Sequence, residues 1–236
     1  MTEKSDTRRP FVGIMAKAPR PGYAKTRLTS ALAPEVAADL YRHFLRDTVD
    51  VVRRVPGVAA ALLCPAGDGA DLARLDIGLP IVEQREPGLM HGLVFGIAHA
   101  LEGGHKAVAL INADSPTLPP ARIADAFAAL ATYNVVFGPT ADGGYYLIAS
   151  TVPCDELLLG ATYPDGTMIL RDTQAQAARL GLRTGTIAPW FDIDLPAELR
   201  DLADALADAP PHLAAHTRHA LTTHARAIHT IQKDIR

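Results

Sequence analysis

Residues 11–28 read FVGIMAKAPRPGYAKTRL. Phe11 to Ala16 is a short apolar run, and it gives way to Lys17, Pro19, Pro21 and Gly22, residue types that stop regular structure and stiffen a loop. This pattern predicts a buried strand opening into a rigid loop. From Pro34 to about Val55, the residues Val36, Leu40, Phe44, Leu45, Val49 and Val52 recur at helical spacing, with Pro34 suited to a first helical turn. Strand, loop and helix in that order make a βα unit.

The same unit recurs downstream. Val58–Cys64, Leu79–Val82 and Ala107–Ile111 are apolar runs, with helical patterns near Asp71 and from His91 to Leu101 between them. After Pro119 and Pro120, an Ala-rich stretch to Ala131 reads as a helix and Asn134 to Gly138 as a strand. The alternation then changes. Asp142-Gly143-Gly144 lies between Val135-Val136-Phe137 and Tyr145-Tyr146-Leu147-Ile148, which predicts a turn with an antiparallel or bulged pair. Helical spacing returns from Met168 to Leu180, Gly181 stops it, Leu182–Ala188 reads as a strand and Leu195–Leu206 as a helix. The expectation is one α/β domain over 11–206, a mixed, mostly parallel sheet flanked by helices. The break Asp208-Ala209-Pro210-Pro211 precedes a helical extension, 207–236, in which Leu213, Leu221, Ile228 and Ile231 share a face.

Composition bounds the function. A chain of 236 residues with 48% hydrophobic content buries one sizeable core. With 21% charged residues and a formal net charge of -3, it carries no basic footprint for nucleic acid and no disordered composition. Cys64 and Cys154 stand alone, without metal-ligand spacing, which suits a reducing cytoplasm. The N-terminal MTEKSDTRRP is polar, and no apolar run reaches the length of a membrane span. His212, His216 and His219 could share a helix face, but no carboxylate or cysteine is placed to complete a zinc site; the expectation is a solvated helix without metal.

Four cations, Lys17, Arg20, Lys25 and Arg27, fall in the loop after the first strand. Strands of an open α/β sheet end where ligands bind, and a loop at that place can hold phosphate oxygens. Lys25 and Arg27, with Lys17 assisting, are the candidate phosphate ligands; a solvated basic loop is the alternative. Asp114 follows the run ending at Ile111, where a carboxylate points into the ligand crevice and suits magnesium, although Asp-Ser-Pro is also good turn chemistry. In Asp192-Ile193-Asp194, strand-like alternation would set both carboxylates on one side and Ile193 toward the core. Asp194 also precedes Leu195-Pro196 and Glu198, a helix-start pattern. Asp142, Gly143, Gly144 and Tyr145 could line an acceptor pocket or form only a hairpin turn.

Taken in order, MAKAPRPGYAKTRL (15–28), INADSPTLP (111–119), FGPTADGGYYLI (137–148) and WFDIDLPAEL (190–199) resemble the bacterial DUF2064 family of GT-A-like transferases. That family is in turn similar to the guanylyltransferases that activate phospholactate or phosphoenolpyruvate in deazaflavin-cofactor synthesis. The resemblance spans about Phe11 to Leu206 and implies the nucleotide-diphospho-sugar transferase fold. It implies that Asp114, Asp192 and Asp194 hold Mg2+ (or Mn2+), and that the segment with Gly88 and Gly92 meets the base or ribose. The chain departs from the pattern in three places. Asn112 stands at the first position of the Asp-x-Asp that glycosyltransferases of this fold commonly carry; Leu89-Met90-His91 differs from the usual base-contacting segment; and Tyr163-Pro164-Asp165-Gly166-Thr167 replaces a Trp-Ser-Thr.

The expected activity is nucleotidyl transfer, in which a small phosphorylated or anionic acceptor takes a nucleoside monophosphate from a nucleoside triphosphate and pyrophosphate leaves. Glycosyl transfer from a nucleotide sugar is the alternative, and a nucleotide-binding protein without catalysis a third. A dehydrogenase is disfavoured because no Gly-x-Gly-x-x-Gly follows the first strand.

Overall fold

The computed structural model describes residues 9–163 and 167–231. Its centre is β1 (Phe11–Met15), flanked in parallel by β2 (Ala59–Cys64) and β4 (Val108–Asn112). Beyond them lie β3 (Ile81–Glu83), β5 (Val135–Pro139), β6 (Tyr145–Ser150) and β7 (Thr184–Thr186), in the order β3-β2-β1-β4-β6-β5-β7. Only β6 runs against the others, pairing antiparallel with β4 and, through a bulge at Gly138/Pro139, with β5. The mixed, mostly parallel sheet and the hairpin at Asp142-Gly143-Gly144 thus agree with the sequence reading.

Because side chains alternate along a strand, the apolar runs supply both faces. Val12, Ile14, Leu62 and Ile111 face α1 (Pro34–Arg53) and α4 (Pro120–Ala129). Phe11, Leu63, Val108 and Leu110 face α3 (Leu89–Glu102), following α2 (Gly69–Ala73), with α5 (Asp155–Leu158) and α6 (Ile169–Arg179) beside it. The helix α3 lies close on the sheet because Gly96 has no side chain; a Cβ there would come within 2.5 Å of Leu63 and 3.0 Å of Leu110. That close seat brings the α3 N-terminus to the carboxyl edge of the strands.

A third cluster joins the chain's two ends. Leu28, in the 3-10 helix Thr26–Ser30, and Leu40 and Phe44 of α1 meet Ile193 and the helices α7 (Pro196–Asp208), α8 (Ala215–Thr223) and α9 (Ala225–Ile231). Leu213, Leu221, Ile228 and Ile231 contribute to it, as their shared face predicts.

Three expectations need correction, and one short helix was not foreseen. Asp192-Ile193-Asp194 forms no strand; it is an unpaired segment held by the Ile193 N–H donating to the Asp114 carbonyl at 3.1 Å, although Ile193 does turn into the core and is fully buried. The run Leu182–Ala188 shortens to β7, in which Thr184, Gly185 and Thr186 pair with Val135, Val136 and Phe137 of β5. The short α5 had no clear signal in the sequence.

His212 and His219 are exposed and His216 partly so, as a solvated segment implies, but the helix that carries His216 and His219 also packs on α1. His216 lies 3.3 Å from Asp50 and His224 2.8 Å from Asp39, both on α1, with the His43 ring against His216 and His219. The carboxylates absent from the segment come from a helix far away in sequence. Asp47, Asp50 and His216 even bring ligand atoms within 4.8 Å of one another. Yet the Asp47 oxygens already accept from the His216 N–H, the Thr217 N–H and the Thr217 hydroxyl, so Asp47 caps the start of α8. No described helix is long and apolar enough to cross a membrane.

Ile193 is 0% exposed and links the Asp192–Asp194 segment to the third cluster. Ile193→Ala is expected to lower stability by about 2–5 kcal/mol, the usual cost of truncating a buried Ile. Urea unfolding checks this, and a cost below the range would show that the segment is not anchored through Ile193.

Candidate active site

The carboxyl ends of β1, β2, β3 and β4 lie along one edge of the sheet, together with the amino end of β6. A cleft of about 620 Å³ opens there, bounded by Lys17, Lys25, Gln84, Asp114, Asp192 and Tyr145 among others. This is the crevice in which α/β sheets bind ligands.

The loop after β1 is fixed by partners from two elements. The Lys17 N–H donates to the Tyr41 hydroxyl at 2.9 Å, and the Ala18 N–H to the Asp68 carboxylate at 2.8 Å. Arg20 is committed to this brace: its guanidinium lies 3.0 Å from Asp68 and 2.5 Å from Asp71 and donates to the Gly67 carbonyl. The cationic quartet therefore divides. Arg20 holds the loop, while Lys17, Lys25 and Arg27 line the cleft. Lys17 lies over the Tyr23 ring at 5.6 Å.

Lys25 is the centre of the site. It turns the chain with φ 52°, the left-handed region that non-glycine residues visit mainly where surroundings impose it. Its side chain is 4% exposed, and Nζ sits 2.5 Å from Asp114 and 2.6 Å from Asp194. Burial alone would lower the pKa of this ammonium, but Asp114 and Asp194 outweigh burial and raise it. Arg27 adds a second cation at 3.2 Å from Asp194, with its side chain 67% exposed toward the mouth.

The carboxylates carry more charge than these cations offset. Asp192 is pushed up to about 6, by burial first and then by Asp114 and Asp194, with Lys25 opposing. Asp114 has one oxygen on Lys25, and its other, Oδ1, is buried without a hydrogen-bond partner; Asn112 Oδ1 is in the same position. A buried oxygen left in this way is costly unless water or a ligand meets it. Asp114, Asp192 and Asp194 border the cleft, but among the described residues they do not, as Asp47, Asp50 and His216 do, bring one ligand atom each within 4.8 Å of one another; a cation held by all three needs their side chains drawn together. Asp194 is not the helix cap, since Glu198 accepts from the Asp194 and Leu195 N–H groups at 2.6 and 2.7 Å; its two oxygens are instead taken by Lys25 and Arg27.

Gly88, with φ 104°, begins α3 and lines the cleft. Gly92 lies one turn further, its N–H donating to the Gly88 carbonyl. His91 pairs with Glu86 at 3.0 Å. The Asp142 carboxylate accepts from the Thr140 hydroxyl and the Gly144 N–H, and the Gly143 carbonyl accepts from the Leu170 N–H. That turn satisfies itself. The Thr140 hydrogen bond, helped by the Gly144 N–H and Arg27, outweighs burial, which acts the other way, and holds the Asp142 carboxyl below its usual range. Asp142, Gly143 and Gly144 do not line the cleft; Tyr145 and Tyr146 do, the latter donating its hydroxyl to the Ala188 carbonyl at 3.0 Å. Of the segment Tyr163–Thr167, residues 164–166 lie outside the described residues. Sequence reasoning missed Gln84, Tyr41 and Asp68; Gln84 alone had a signal, a polar residue just past an apolar run, as Asp114 is.

Residues 48–164 match the family described as "Uncharacterized protein conserved in bacteria (DUF2064)". The resemblance read from the motifs is borne out over those residues. A phosphoenolpyruvate guanylyltransferase of Streptomyces coelicolor is 31% identical over 137 residues, 57% of this chain and 64% of that protein. One of Conexibacter woesei is 32% identical over 99 residues, 42% of this chain and 44% of that protein. The chain therefore aligns with less than two thirds of either relative's length. A crystal structure from Desulfovibrio desulfuricans G20, described as a nucleotide-diphospho-sugar transferase, superposes with a TM-score of 0.83 at 23% identity, covering 95% of this chain and 98% of that one. The fold is that of the nucleotide-diphospho-sugar transferases.

Asp192 gives the site a pH signature. An unfolded aspartate titrates near 3.9, whereas the folded one holds its proton to about 6. Between these values the folded state binds more protons, so stability falls as pH rises through the window. In the presence of a chelator, Asp192→Asn should melt above the wild type at pH 7.5, and the gain should vanish near pH 3.5. An equal difference at both pH values would mean that Asp192 is not held against its neighbours.

Proposed function

We propose that this chain is a nucleotidyltransferase: an anionic small acceptor attacks the α-phosphate of a nucleoside triphosphate, and pyrophosphate leaves. The observation that carries the reading is the meeting of Lys25 and Arg27 with Asp114, Asp192 and Asp194 at one cleft. In-line transfer at phosphorus needs positioning and charge neutralisation more than a covalent partner. The two relatives named phosphoenolpyruvate guanylyltransferase support this reaction class. They also make a phosphorylated carboxylic acid the first acceptor to try. Glycosyl transfer on this fold is less supported, because Asn112 replaces the first carboxylate of Asp-x-Asp.

Lys17 and Arg27, at the mouth, meet the β- and γ-phosphates, and Arg27 can bind them through two parallel hydrogen bonds. Lys25 exchanges part of its carboxylate pairing for phosphate when the nucleotide arrives. A Mg2+ or Mn2+ ion held by Asp114, Asp192 and Asp194 would offset the triphosphate charge and make the α-phosphorus more electrophilic. The Tyr145 side of the cleft is left for the acceptor. The domain limits that go with this reading are 11–206 for the transferase unit and 207–236 for the helical extension.

Pyrophosphate release from a panel of nucleoside triphosphates with phosphoenolpyruvate as acceptor tests the reaction. A panel of nucleotide sugars run beside it would decide for glycosyl transfer if only those turn over. Arg27→Ala isolates the triphosphate. Hydrogen bonds to charged groups contribute about 1.5–3 kcal/mol, so triphosphate affinity should fall roughly ten- to a hundredfold while monophosphate affinity stays near wild type. Calorimetric titration of both ligands reads the comparison, and equal losses would move Arg27 to the α-phosphate or the base.

A further inference from the structure

We infer that the Tyr41 hydroxyl binds the α-phosphate of the nucleotide, as a neutral donor held ready by the end of β1. The inference rests on the nucleotidyl-transfer reading of this cleft and adds a ligand that reading leaves out.

Tyr41 belongs to α1 and is 5% exposed among the core side chains of that face of the sheet, yet it borders the cleft. Its oxygen accepts the Lys17 N–H at 2.9 Å. A phenol oxygen that accepts in this way still has one hydrogen to give. Among the described residues no group accepts that hydrogen. Burial first, with Asp114 and Asp68 adding to it and the Lys17 N–H opposing, raises the pKa of the hydroxyl, so the hydrogen stays in place at working pH. Asp114 acts on Tyr41 through its charge, but no hydrogen bond joins the two, and Asp114 Oδ1 is itself without a partner.

The backbone explains why a side chain is needed. A loop after the first strand can offer its own N–H groups to phosphate oxygens. Here the Lys17 N–H is spent on Tyr41 and the Ala18 N–H on Asp68. The two acceptors differ in what they pass on. A carboxylate only accepts, so the hydrogen-bond chain ends at Asp68, whereas a hydroxyl accepts and donates. Tyr41 therefore relays the Lys17 N–H into the cleft, and a donor whose oxygen is already hydrogen-bonded is strengthened by it.

Its depth selects the phosphate. Lys25 and Arg27 are both held by Asp194 and loosen those pairs to meet a ligand; Tyr41 has no ion pair to break. Arg27, with its side chain 67% exposed, serves the β- and γ-phosphates at the mouth. Tyr41 lies deeper, within the influence of Asp114, and the phosphate left for it is the α-phosphate, where the transfer takes place. The Lys25 ammonium, 2.5 Å from Asp114, supplies the positive charge that lets a phosphate approach this carboxylate.

The test uses the full chain with Mg2+ and compares affinities for GTP, GMP and guanosine in the wild type, Tyr41→Phe and Asp68→Asn. Tyr41→Phe keeps the ring and its packing and removes the hydroxyl. Asp68→Asn weakens the other brace of the same loop and removes nothing that borders the cleft. GMP is the decisive ligand, because it carries the α-phosphate without the β and γ. Tyr41→Phe should weaken GMP and GTP alike by about tenfold or more and leave guanosine as in the wild type. Asp68→Asn should leave GMP near wild type. If Tyr41→Phe binds GMP as the wild type does, or loses guanosine affinity equally, or if Asp68→Asn weakens GMP as much, Tyr41 is a brace of the loop and the inference is overturned. The selective loss of GTP in Arg27→Ala, kept beside such a result, would leave the nucleotidyl-transfer reading standing. A wild type that binds neither GTP nor GMP would overturn both.

Discussion

One buried ammonium organises the cleft. Lys25 lies between Asp114 and Asp194, carboxylates that reach it from the end of β4 and from the segment before α7. Ion pairs on a surface contribute little to stability, but a pair from which water is largely removed is costly to break, because a lone buried charge remains. Elements far apart in sequence therefore meet at one nitrogen. The left-handed turn at residue 25 is part of the same arrangement, since it aims the side chain inward while Arg27, two residues on, stays at the mouth.

That pairing needs both of its flanks fixed, and the third hydrophobic cluster fixes them. Leu28 holds the loop side and Ile193 the carboxylate side, both fully buried among the C-terminal helices and the outer face of α1. The α7–α9 helices are remote from the chemistry and still set its geometry. Asp47 at the start of α8, with the histidine–aspartate contacts between α8 and α1, ties these helices down. Chemistry on one edge of the sheet thus depends on packing behind it.

What the sequence made legible is what depends on near neighbours. The run at 11–16, the turn residues after it and the position of Asp114 past β4 are local patterns, and the structure keeps them. The loop cations could not be sorted from sequence, because what separates Arg20 from Lys25 is which acids face each: Asp68 and Asp71 for one, Asp114 and Asp194 for the other. The pairing of Asp192 with Asp194 was legible as alternation, yet alternation does not require a ladder partner, and the segment has a single backbone tie to Asp114. Gln84 had a local signal, a polar residue just past an apolar run, but its place on the cleft depends on β3 and α3 meeting there.

Asn112 then has a physical reason. Three carboxylates already share one buried lysine and one exposed arginine, and the surplus is visible at Asp192, which holds its proton to about 6. An aspartate at 112 would add a fourth negative charge to this edge of the cleft and push Asp192 higher still. Asparagine offers an oxygen in the same direction without the charge, and its Oδ1 is indeed buried and unpartnered. A divalent cation accepts neutral carbonyl oxygens as readily as it fills a shell with water. An amide at 112 therefore adds no charge to a cleft that already gathers Asp114, Asp192 and Asp194.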